Sequence, residues 1–264
     1  MEPTEGARSF LTSGDAYDRY MGRYSRTLAV AFADEAGIDT GRTVLDVGCG
    51  PGALTGELVG RLGAAAVSAF DPSPPFVEAC AGRHPGVDVR LGRAEAIPFD
   101  DGRFDAAMAQ LVLHFVSDPS KAMHELRRVV RPGGTVAACV WDFAEGMEML
   151  RAFWDAALLV DAAAPDEARA LRFGGPGEIA ALLLEAGYDD VAESTLRVSS
   201  HYSGFDELWS GFMAGIGPAG TYCMSLPDEQ RAALHHALFQ RLGEPVGPFS
   251  LAALARYASG RTPG

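Results

Sequence analysis

The sequence lacks the marks of a secreted or membrane-spanning protein. None of its 264 residues belong to an apolar run long enough to cross a bilayer, and residues 1–10 contain no apolar core of a secretory signal. The four cysteines, at positions 49, 80, 139 and 223, show no paired spacing. Reduced thiols and a cytoplasmic location are the interpretation that these absences favour.

Basic clusters and several common catalytic patterns are also missing. The formal net charge is −13 and no dense Lys/Arg run occurs, which disfavours nucleic acid and membrane surfaces as partners. His124 and Glu125 begin the zinc pattern H-E-x-x-H, but Arg128 stands at the place of the second histidine. No G-x-S-x-G elbow is present. We therefore predict no metal site. Nothing in the composition indicates an oligomeric state.

The chain has enough apolar residues for one substantial core. Hydrophobic residues make up 48% of it, and no repeat or Pro/Gly/Ser-rich linker divides it. We predict a single domain over 1–264. Its parts are an N-terminal helical cover over 1–40, a core over 41–200 and 246–264, and a helical insertion over 201–245.

A glycine-rich loop follows the first predicted strand. The aliphatic run of Val44–Val47 is typical of a buried parallel strand, and Asp46 interrupts it with a carboxyl group. Gly48, Gly50 and Gly52 come next, where missing side chains allow a ligand to approach the backbone. This spacing also fits the loose dinucleotide pattern G-x-G-x-x-G/A, so a nicotinamide-dependent oxidoreductase is one alternative.

A second acid follows at the distance expected of a nucleotide-binding βαβ unit. Residues 65–70 read as a strand that leads into Asp71, about twenty residues after the glycine loop, where such units place a ribose-binding acid. Further strands are predicted over 87–91, 104–110, 135–141, 189–198 and 249–257, with a helix over 118–131.

Three local segments resemble the class I S-adenosylmethionine-dependent methyltransferases. Asp46-x-Gly-x-Gly-x-Gly resembles motif I of that family, and Asp46, Pro51 and Gly52 argue against a dinucleotide. The segment 92–99 and the Arg-Pro-Gly-Gly turn at 131–134 also match, so the similarity covers about residues 40–142. The subset most similar is the ubiquinone/menaquinone-biosynthesis type, the methyltransferase type 11 group.

The resemblance implies an α/β fold, a Rossmann-like three-layer sandwich whose seven-stranded sheet is mostly parallel, with the last strand antiparallel and a helical cap. It implies S-adenosyl-L-methionine as the cofactor. The implied cofactor-binding residues are Tyr20, Arg23, Asp46, Gly48, Cys49, Gly50, Asp71, Pro72, Arg93, Ala94, Glu95, Gln110 and Leu111.

Individual roles follow from the same resemblance. The glycine loop admits the methionyl part, Asp46 organises its ammonium directly or through water, Asp71 binds the ribose and Pro72 packs near the adenine. Arg93 departs from the family pattern, because an acid is expected there to hold the adenine amino group. The amide of Ala94 serves the ring, and Glu95 is the candidate replacement acceptor.

Aromatic and basic residues outside the core predict a cover over the substrate. Tyr17, Tyr20 and the pair Arg23-Tyr24 recur at helical spacing. Arg23 is a candidate partner of the methionine carboxylate. The alternative is that this helix only packs against the sheet. Apolar helical faces in the insertion are also more typical of packing than of a pocket. The candidate apolar walls are Tyr24, Trp141, Trp209 and Phe212.

The sequence thus predicts a methyltransferase acting on a small-molecule metabolite. Gln110-Leu-Val-Leu replaces the Asn/Asp-Pro-Pro-Tyr of methyltransferases that act on exocyclic base or glutamine nitrogens, which favours an oxygen or carbon acceptor. His114, expected near the methyl-transfer face, and His201 are possible general bases, although a neutral packed histidine is the alternative for each. A protein that binds the cofactor without transferring its methyl group also remains open.

Overall fold

The computed structural model describes residues 21–264. The strands are β1 (Val44–Val47), β2 (Val67–Asp71), β3 (Asp88–Leu91), β4 (Phe104–Gln110), β5 (Val130–Trp141), β6 (Asp189–Tyr202) and β7 (Phe249–Arg261). The α-helices are α1 (Arg23–Glu35), α2 (Ala53–Leu62), α3 (Pro74–Arg83), α4 (Pro119–Val129), α5 (Glu148–Val160), α6 (Glu167–Ala170), α7 (Glu178–Glu185), α8 (Phe205–Met213), α9 (Gly217–Ser225) and α10 (Asp228–Arg241). Short 3₁₀ turns cover Ala64–Ala66 and Leu113–Phe115.

One seven-stranded sheet has the order β3-β2-β1-β4-β5-β7-β6. Its strands pair in parallel from β3 to β5, and β7 runs antiparallel to both β5 and β6. The predicted fold class, a mostly parallel sheet with an antiparallel last strand, is therefore confirmed.

The alternation of side chains along the strands divides the core between the two faces of the sheet. On β4, Ala106 and Met108 join the cluster that contains α1, α2 and α5. Ala107 and Ala109 join the cluster on the opposite face, which contains α4 and α7. The short central strands are thus covered on both faces, as a parallel sheet requires.

Several predicted element boundaries differ from those observed. The strand predicted from residue 65 begins at Val67, because Ala64–Ala66 form a 3₁₀ turn. The helix predicted to residue 131 ends at Val129, and β5 begins at once with Val130. The last two strands run on to Tyr202 and Arg261, since they pair with each other along almost their whole length.

The helices between β6 and β7 pack on the core. Phe212 of α8 stacks on Phe153 of α5 with 4.3 Å between ring centroids. Leu234 and Leu238 of α10 are fully buried. These apolar faces therefore contribute to the same hydrophobic cluster as α1 and α5. Within residues 21–264, no helix is long and apolar enough to span a membrane.

Candidate functional site

The glycine loop lies where the strand order of the sheet reverses. The chain moves outward from β1 to β2 and β3, and then crosses back to β4 on the other side of β1. Such a reversal leaves a crevice beyond the carboxyl ends of the strands, and this is where open α/β sheets bind ligands. The loop after β1, the end of β2 and the end of β4 all reach this crevice.

The backbone of the loop needs its three glycines. Gly48, Gly50 and Gly52 have φ angles of 66°, 52° and 100°. A Cβ on Gly48 would lie 2.7 Å from a methyl group of Val112, and one on Gly52 would lie 2.7 Å from Nε2 of His84. Among residues 21–264, a Cβ on Gly50 would meet nothing within 4 Å. The loop is thus packed from behind and open at Gly50.

Asp71 fastens the loop to the end of β2. One carboxyl oxygen accepts the N–H of Gly50 at 2.9 Å, and the other accepts the N–H of Ser73 at 2.8 Å. The residue is buried. Because a carboxylate oxygen can accept two hydrogen bonds, each oxygen retains capacity for a hydroxyl group of a ligand.

Asp46 lies beneath the loop at the end of β1 and is also buried. The hydroxyl of Thr55, on the first turn of α2, donates to it at 2.6 Å. The thiol of Cys80 donates in turn to the Thr55 hydroxyl at 3.4 Å. Thr55 is a site residue that the sequence reasoning missed, since a threonine inside a helix gives no sign of its distant partner.

Burial disfavours the charged forms of both carboxyl groups. It raises the pKa of Asp46 to about 7 against the opposing hydrogen bond from Thr55, and the charge of Asp71 raises it further. It raises the pKa of Asp71 to about 6, while the amides of Ser73 and Gly50 act to lower it. A ligand that bears positive charge or hydroxyl donors would favour the ionised forms.

The segment predicted to contact adenine lies after β3. Ala94 is buried, and Arg93 pairs with Glu95 at 3.7 Å. Glu95 also accepts the backbone N–H of Ser117 at 3.0 Å, so it anchors the start of α4. Pro72 is exposed beside Asp71.

Gln110 and Leu111 close the end of β4. The amide nitrogen of Gln110 donates to the carbonyl of Ser25 at 3.0 Å, and its buried Oε1 has no hydrogen-bond partner within residues 21–264. Leu111 has a φ of 61°, which is uncommon for a residue with a side chain. Its N–H donates to the carbonyl of Cys139 at 2.8 Å, which holds this turn.

The structure describes only part of the helical cover predicted over residues 1–40. Tyr17 and Tyr20 lie outside the described residues. The guanidinium of Arg23 forms an ion pair with Glu207, donates to the carbonyl of His201 at 3.1 Å and lies 4.4 Å from the ring centre of Tyr202. These contacts join α1 to the end of β6 and the start of α8, so a contact with the cofactor would require Arg23 to leave them.

A narrow cleft adjoins the end of β4. It encloses about 420 Å³, counted out to its open mouth. Aromatic and aliphatic groups provide most of its walls. The lining residues are Met21, Leu111, His114, Phe115, Trp141, Phe143, Leu150, Glu167, Gly217 and Pro218. Leu111, which directly follows β4, places this cleft at the end of that strand.

The residues predicted as walls or bases separate into two groups. Trp141 and His114 line the cleft. Tyr24 and Phe212 are fully buried packing residues. Trp209 packs against Phe212 and His235 instead of lining the cleft.

The two candidate bases differ in their surroundings. Burial lowers the pKa of His114 to about 3, and its Nδ1 has no hydrogen-bond partner in the described part of the chain. Its ring contacts Phe115 and Phe143, at 4.0 and 5.4 Å between centroids. His201 is exposed, with Nδ1 3.4 Å from the hydroxyl of Ser250. His114 is therefore a neutral packed residue, and His201 lies away from the cleft.

Glu167 is a buried acid in the cleft wall that the sequence reasoning missed. The indole N–H of Trp154 donates to its Oε2 at 2.7 Å. Burial raises the pKa of this carboxyl to about 7. In the sequence, Asp166-Glu-Ala-Arg169 reads as the exposed start of a helix, so no local pattern distinguishes it.

The seven-stranded sheet, the glycine loop after β1 and the acid at the end of β2 agree with the fold that the sequence resemblance implies. Residues 45–138 match the family model described as a methyltransferase domain. The recognition of a methyltransferase domain made from the sequence is therefore confirmed over residues 45–138.

Two curated relatives match part of the chain. An uncharacterized methyltransferase of Mycobacterium tuberculosis is 42% identical over 101 residues, which are 38% of this chain and 40% of the relative. A malonyl-[acyl-carrier protein] O-methyltransferase of Pseudescherichia vulneris is 34% identical over 133 residues, 50% of this chain and 51% of the relative. The matched segments therefore span about half or less of these relatives.

Solved structures show the same fold over most of the chain. A protein of Anaeromyxobacter dehalogenans, provisionally named a type II methyltransferase, superposes with a TM-score of 0.65 and 22% identity. The match covers 90% of this chain and 96% of that structure.

S-adenosylmethionine is the cofactor of this domain, and the residues present fit it. Gly50 leaves the loop open to a ligand, and Asp71 retains acceptor capacity for hydroxyl groups. A positively charged group beside the buried Asp46 carboxyl would favour its ionised form.

Proposed function

We propose that the protein transfers the methyl group of S-adenosylmethionine to a small-molecule acceptor in the cleft beside Leu111, with oxygen or carbon favoured as the accepting atom. The observation that carries this proposal is the position of Leu111, which directly follows β4 at the edge of the sheet and also lines the cleft. A cofactor bound at the carboxyl ends of β1, β2 and β4 would therefore lie beside the cleft.

The proposed roles in cofactor binding follow from the positions of the residues. Asp71 accepts from the ribose hydroxyls with the lone pairs that its backbone contacts leave free. Asp46 favours the ammonium group, directly or through water. The exposed Pro72 packs on the adenine and the amide of Ala94 binds the ring, because Glu95 is engaged with the start of α4.

The loop and the end of β4 complete the proposed cofactor site. Gly48, Cys49 and Gly50 contact the methionyl part, and Gln110 and Leu111 bound it on the other side. Arg93, already paired with Glu95, closes the adenine edge. Arg23 closes the cover through its contacts with β6 and α8.

When bound, S-adenosylmethionine supplies a methyl carbon activated by an adjacent sulfonium. The contribution of the chain is to hold the acceptor atom near that carbon and in line with the carbon–sulfur bond. Leu111, Trp141 and Phe143 do this by restricting a flat or apolar acceptor to the narrow cleft. The same walls exclude water from the reacting atoms.

The charge of the cleft selects among acceptors. The name of the Pseudescherichia relative describes methylation on the oxygen of a malonyl group, which is anionic. The described lining of this cleft contains Glu167 and no lysine or arginine. A carboxylate acceptor would meet a like charge without a cation to offset it, so an uncharged or cationic acceptor is favoured over an anionic one.

Two measurements test the proposed function. Calorimetry compares the binding of S-adenosylhomocysteine with that of NADH, and an assay with labelled methyl groups screens neutral, cationic and anionic metabolites. We expect binding of S-adenosylhomocysteine and label transfer to a neutral acceptor. Binding of NADH alone would indicate an oxidoreductase. Binding of S-adenosylhomocysteine without label transfer to any acceptor would indicate a protein that binds the cofactor without using it.

A further inference from the structure

The acceptor cleft carries polar groups that the packing of the protein leaves incompletely bonded. Trp141 and His114 both line it, and the indole N–H of Trp141 and Nδ1 of His114 have no hydrogen-bond partner among residues 21–264. Glu167 lines the same cleft. Buried polar atoms of this kind are rare and call for a specific explanation.

Glu167 is held rigidly in place. The N–H of Trp154 donates to its Oε2 at 2.7 Å. The preceding residue, Asp166, caps α6 and accepts two hydrogen bonds from Arg151, at 2.9 and 3.2 Å. Because Arg151 also donates to Asp155, its charge is already matched by two other carboxylates. In the described part of the chain, Glu167 therefore has one neutral hydrogen-bond donor and no cationic partner.

A buried carboxyl group without a cation is costly to the fold. Such a cost is common at functional sites, where a ligand supplies the missing hydrogen bond. A ligand group in this cleft that donates to Glu167 and accepts from the N–H of Trp141 would supply the hydrogen bonds that both lack. A hydroxyl group does both. An ammonium group only donates, and a carboxylate or carbonyl oxygen only accepts.

We propose that Glu167 binds the hydroxyl group of the acceptor and takes its proton during methyl transfer, so that the substrate class is neutral aromatic alcohols of the phenol type. This inference rests on the proposed function. The hydroxyl oxygen forms a bond to the methyl carbon, the carbon–sulfur bond breaks with its electron pair left on sulfur, and the hydroxyl proton moves to the Glu167 carboxylate. The aromatic walls at Trp141 and Phe143 fit the flat ring of such an alcohol.

The surroundings make Glu167 the group that titrates near neutral pH. The titratable and charged groups on the elements around it are Asp166, Arg151, His114 and Tyr222. Burial lowers the pKa of His114 to about 3 and raises that of Tyr222 to about 12. Arg151 stays charged within its ion pairs. With the pKa of Glu167 raised to about 7, its carboxylate form is gained as the pH rises through that value.

The first test measures binding to the protein loaded with S-adenosylhomocysteine. The probes are phenol and 2-naphthol, each compared with its amine and carboxylate counterpart, on wild type, Glu167→Gln and the matched control Glu178→Gln. Glu178 is the exposed first residue of α7, accepts the N–H of Gly175 and lies outside the cleft. We expect at least one hydroxyl probe to bind best to wild type and roughly tenfold more weakly to Glu167→Gln, with the control unchanged.

The second test follows labelled-methyl transfer to the bound hydroxyl probe against pH, with S-adenosylmethionine kept saturating so that titration of Asp46 and Asp71 does not affect the rate. In wild type the rate should rise with pH through about 7, and in Glu167→Gln it should fall roughly 100-fold and lose this step. Glu167→Asp should keep the step at a reduced rate. A merely structural role would change stability without removing the pH step, and thermal unfolding of each variant checks this.

Three results would overturn the inference. They are absent binding of both hydroxyl probes to wild type, equal binding of amine or carboxylate counterparts, and an unchanged pH profile in Glu167→Gln. The proposed function has its own readout, because binding of S-adenosylhomocysteine and label transfer to other metabolites do not involve these probes. Label transfer to a different acceptor class would thus refute the role of Glu167 and leave the methyltransferase proposal standing.

Discussion

Replacement of Asp71 gives the sharpest test of the cofactor site. Its carboxylate holds the loop through Gly50 and, in our proposal, also accepts from the two ribose hydroxyls. Hydrogen bonds to a charged acceptor contribute about 1.5–3 kcal/mol each, and part of this is regained by water in the variant. We expect Asp71→Ala to weaken binding by about 2–4 kcal/mol, which is roughly a 30- to 1,000-fold increase in Kd.

The assay is calorimetric titration with S-adenosylhomocysteine. Asp88→Ala is the matched control, because Asp88 lies on β3 in exposed ion pairs with Arg90 and Arg103. Surface pairs of this kind contribute about 0–1 kcal/mol to stability, and they lie outside the proposed cofactor contacts. The control should therefore keep its affinity. Circular dichroism establishes that both variants are folded.

An analogue without the ribose hydroxyls separates the two roles of Asp71. If the carboxylate binds those hydroxyls, removing them should weaken binding to wild type and have little further effect on Asp71→Ala. If Asp71 acts only by holding Gly50, the analogue should lose the same affinity in both proteins. That second result, or unchanged binding of S-adenosylhomocysteine by Asp71→Ala, would refute the ribose assignment.

Three further predictions concern the same loop. Affinity for S-adenosylmethionine should rise with pH until both loop carboxyls are ionised, because burial raises their pKa values to about 7 and about 6 and the ligand favours the charged forms; calorimetry should detect proton release, and a flat pH profile would contradict this. Gly48→Ala should lose about 1–2 kcal/mol of unfolding free energy in denaturant titrations, because of its positive φ and the close contact with Val112, whereas Gly60→Ala, with open space around it, should be neutral or stabilising. Thr55→Val should cost about 1–3 kcal/mol by leaving Asp46 without its hydroxyl donor, and Thr55→Ser should restore most of that; equal stability of the valine and serine variants would show that this hydrogen bond contributes nothing.

The cofactor half of the molecule could be predicted from sequence because its signals are local. The run from Val44 to Gly52 contains strand, acid and glycine loop within nine residues, and Asp71 follows at a regular distance. The geometry of such a unit is set by the chain itself. The mostly parallel sheet with an antiparallel last strand was implied by the family resemblance that these local motifs support, and the structure has it.

The acceptor half could not be predicted in the same way. Glu167 acquires its environment from Trp154, the end of β5 and the start of α9, which are separated along the chain. The sequence pattern predicts a ligand contact for Arg23, whereas its ion pair with Glu207 joins residues 184 positions apart. Charged residues in short polar stretches look exposed in sequence, and only the tertiary packing shows which of them are buried.

The antiparallel pairing of β6 with β7 has a consequence for how acceptor choice can evolve. Tyr202 and Phe249 face each other as the last pair of the ladder, with their rings stacked at 5.4 Å, so the insertion enters and leaves the sheet at neighbouring points. The entropy of closing a loop grows slowly with its length, so segments of different size can occupy this position at little cost. Exchange of the segment between these two residues is therefore a plausible engineering route to new acceptors, provided that the replacement keeps the apolar contact with α5 made by Phe212. The half that binds the cofactor would be inherited unchanged.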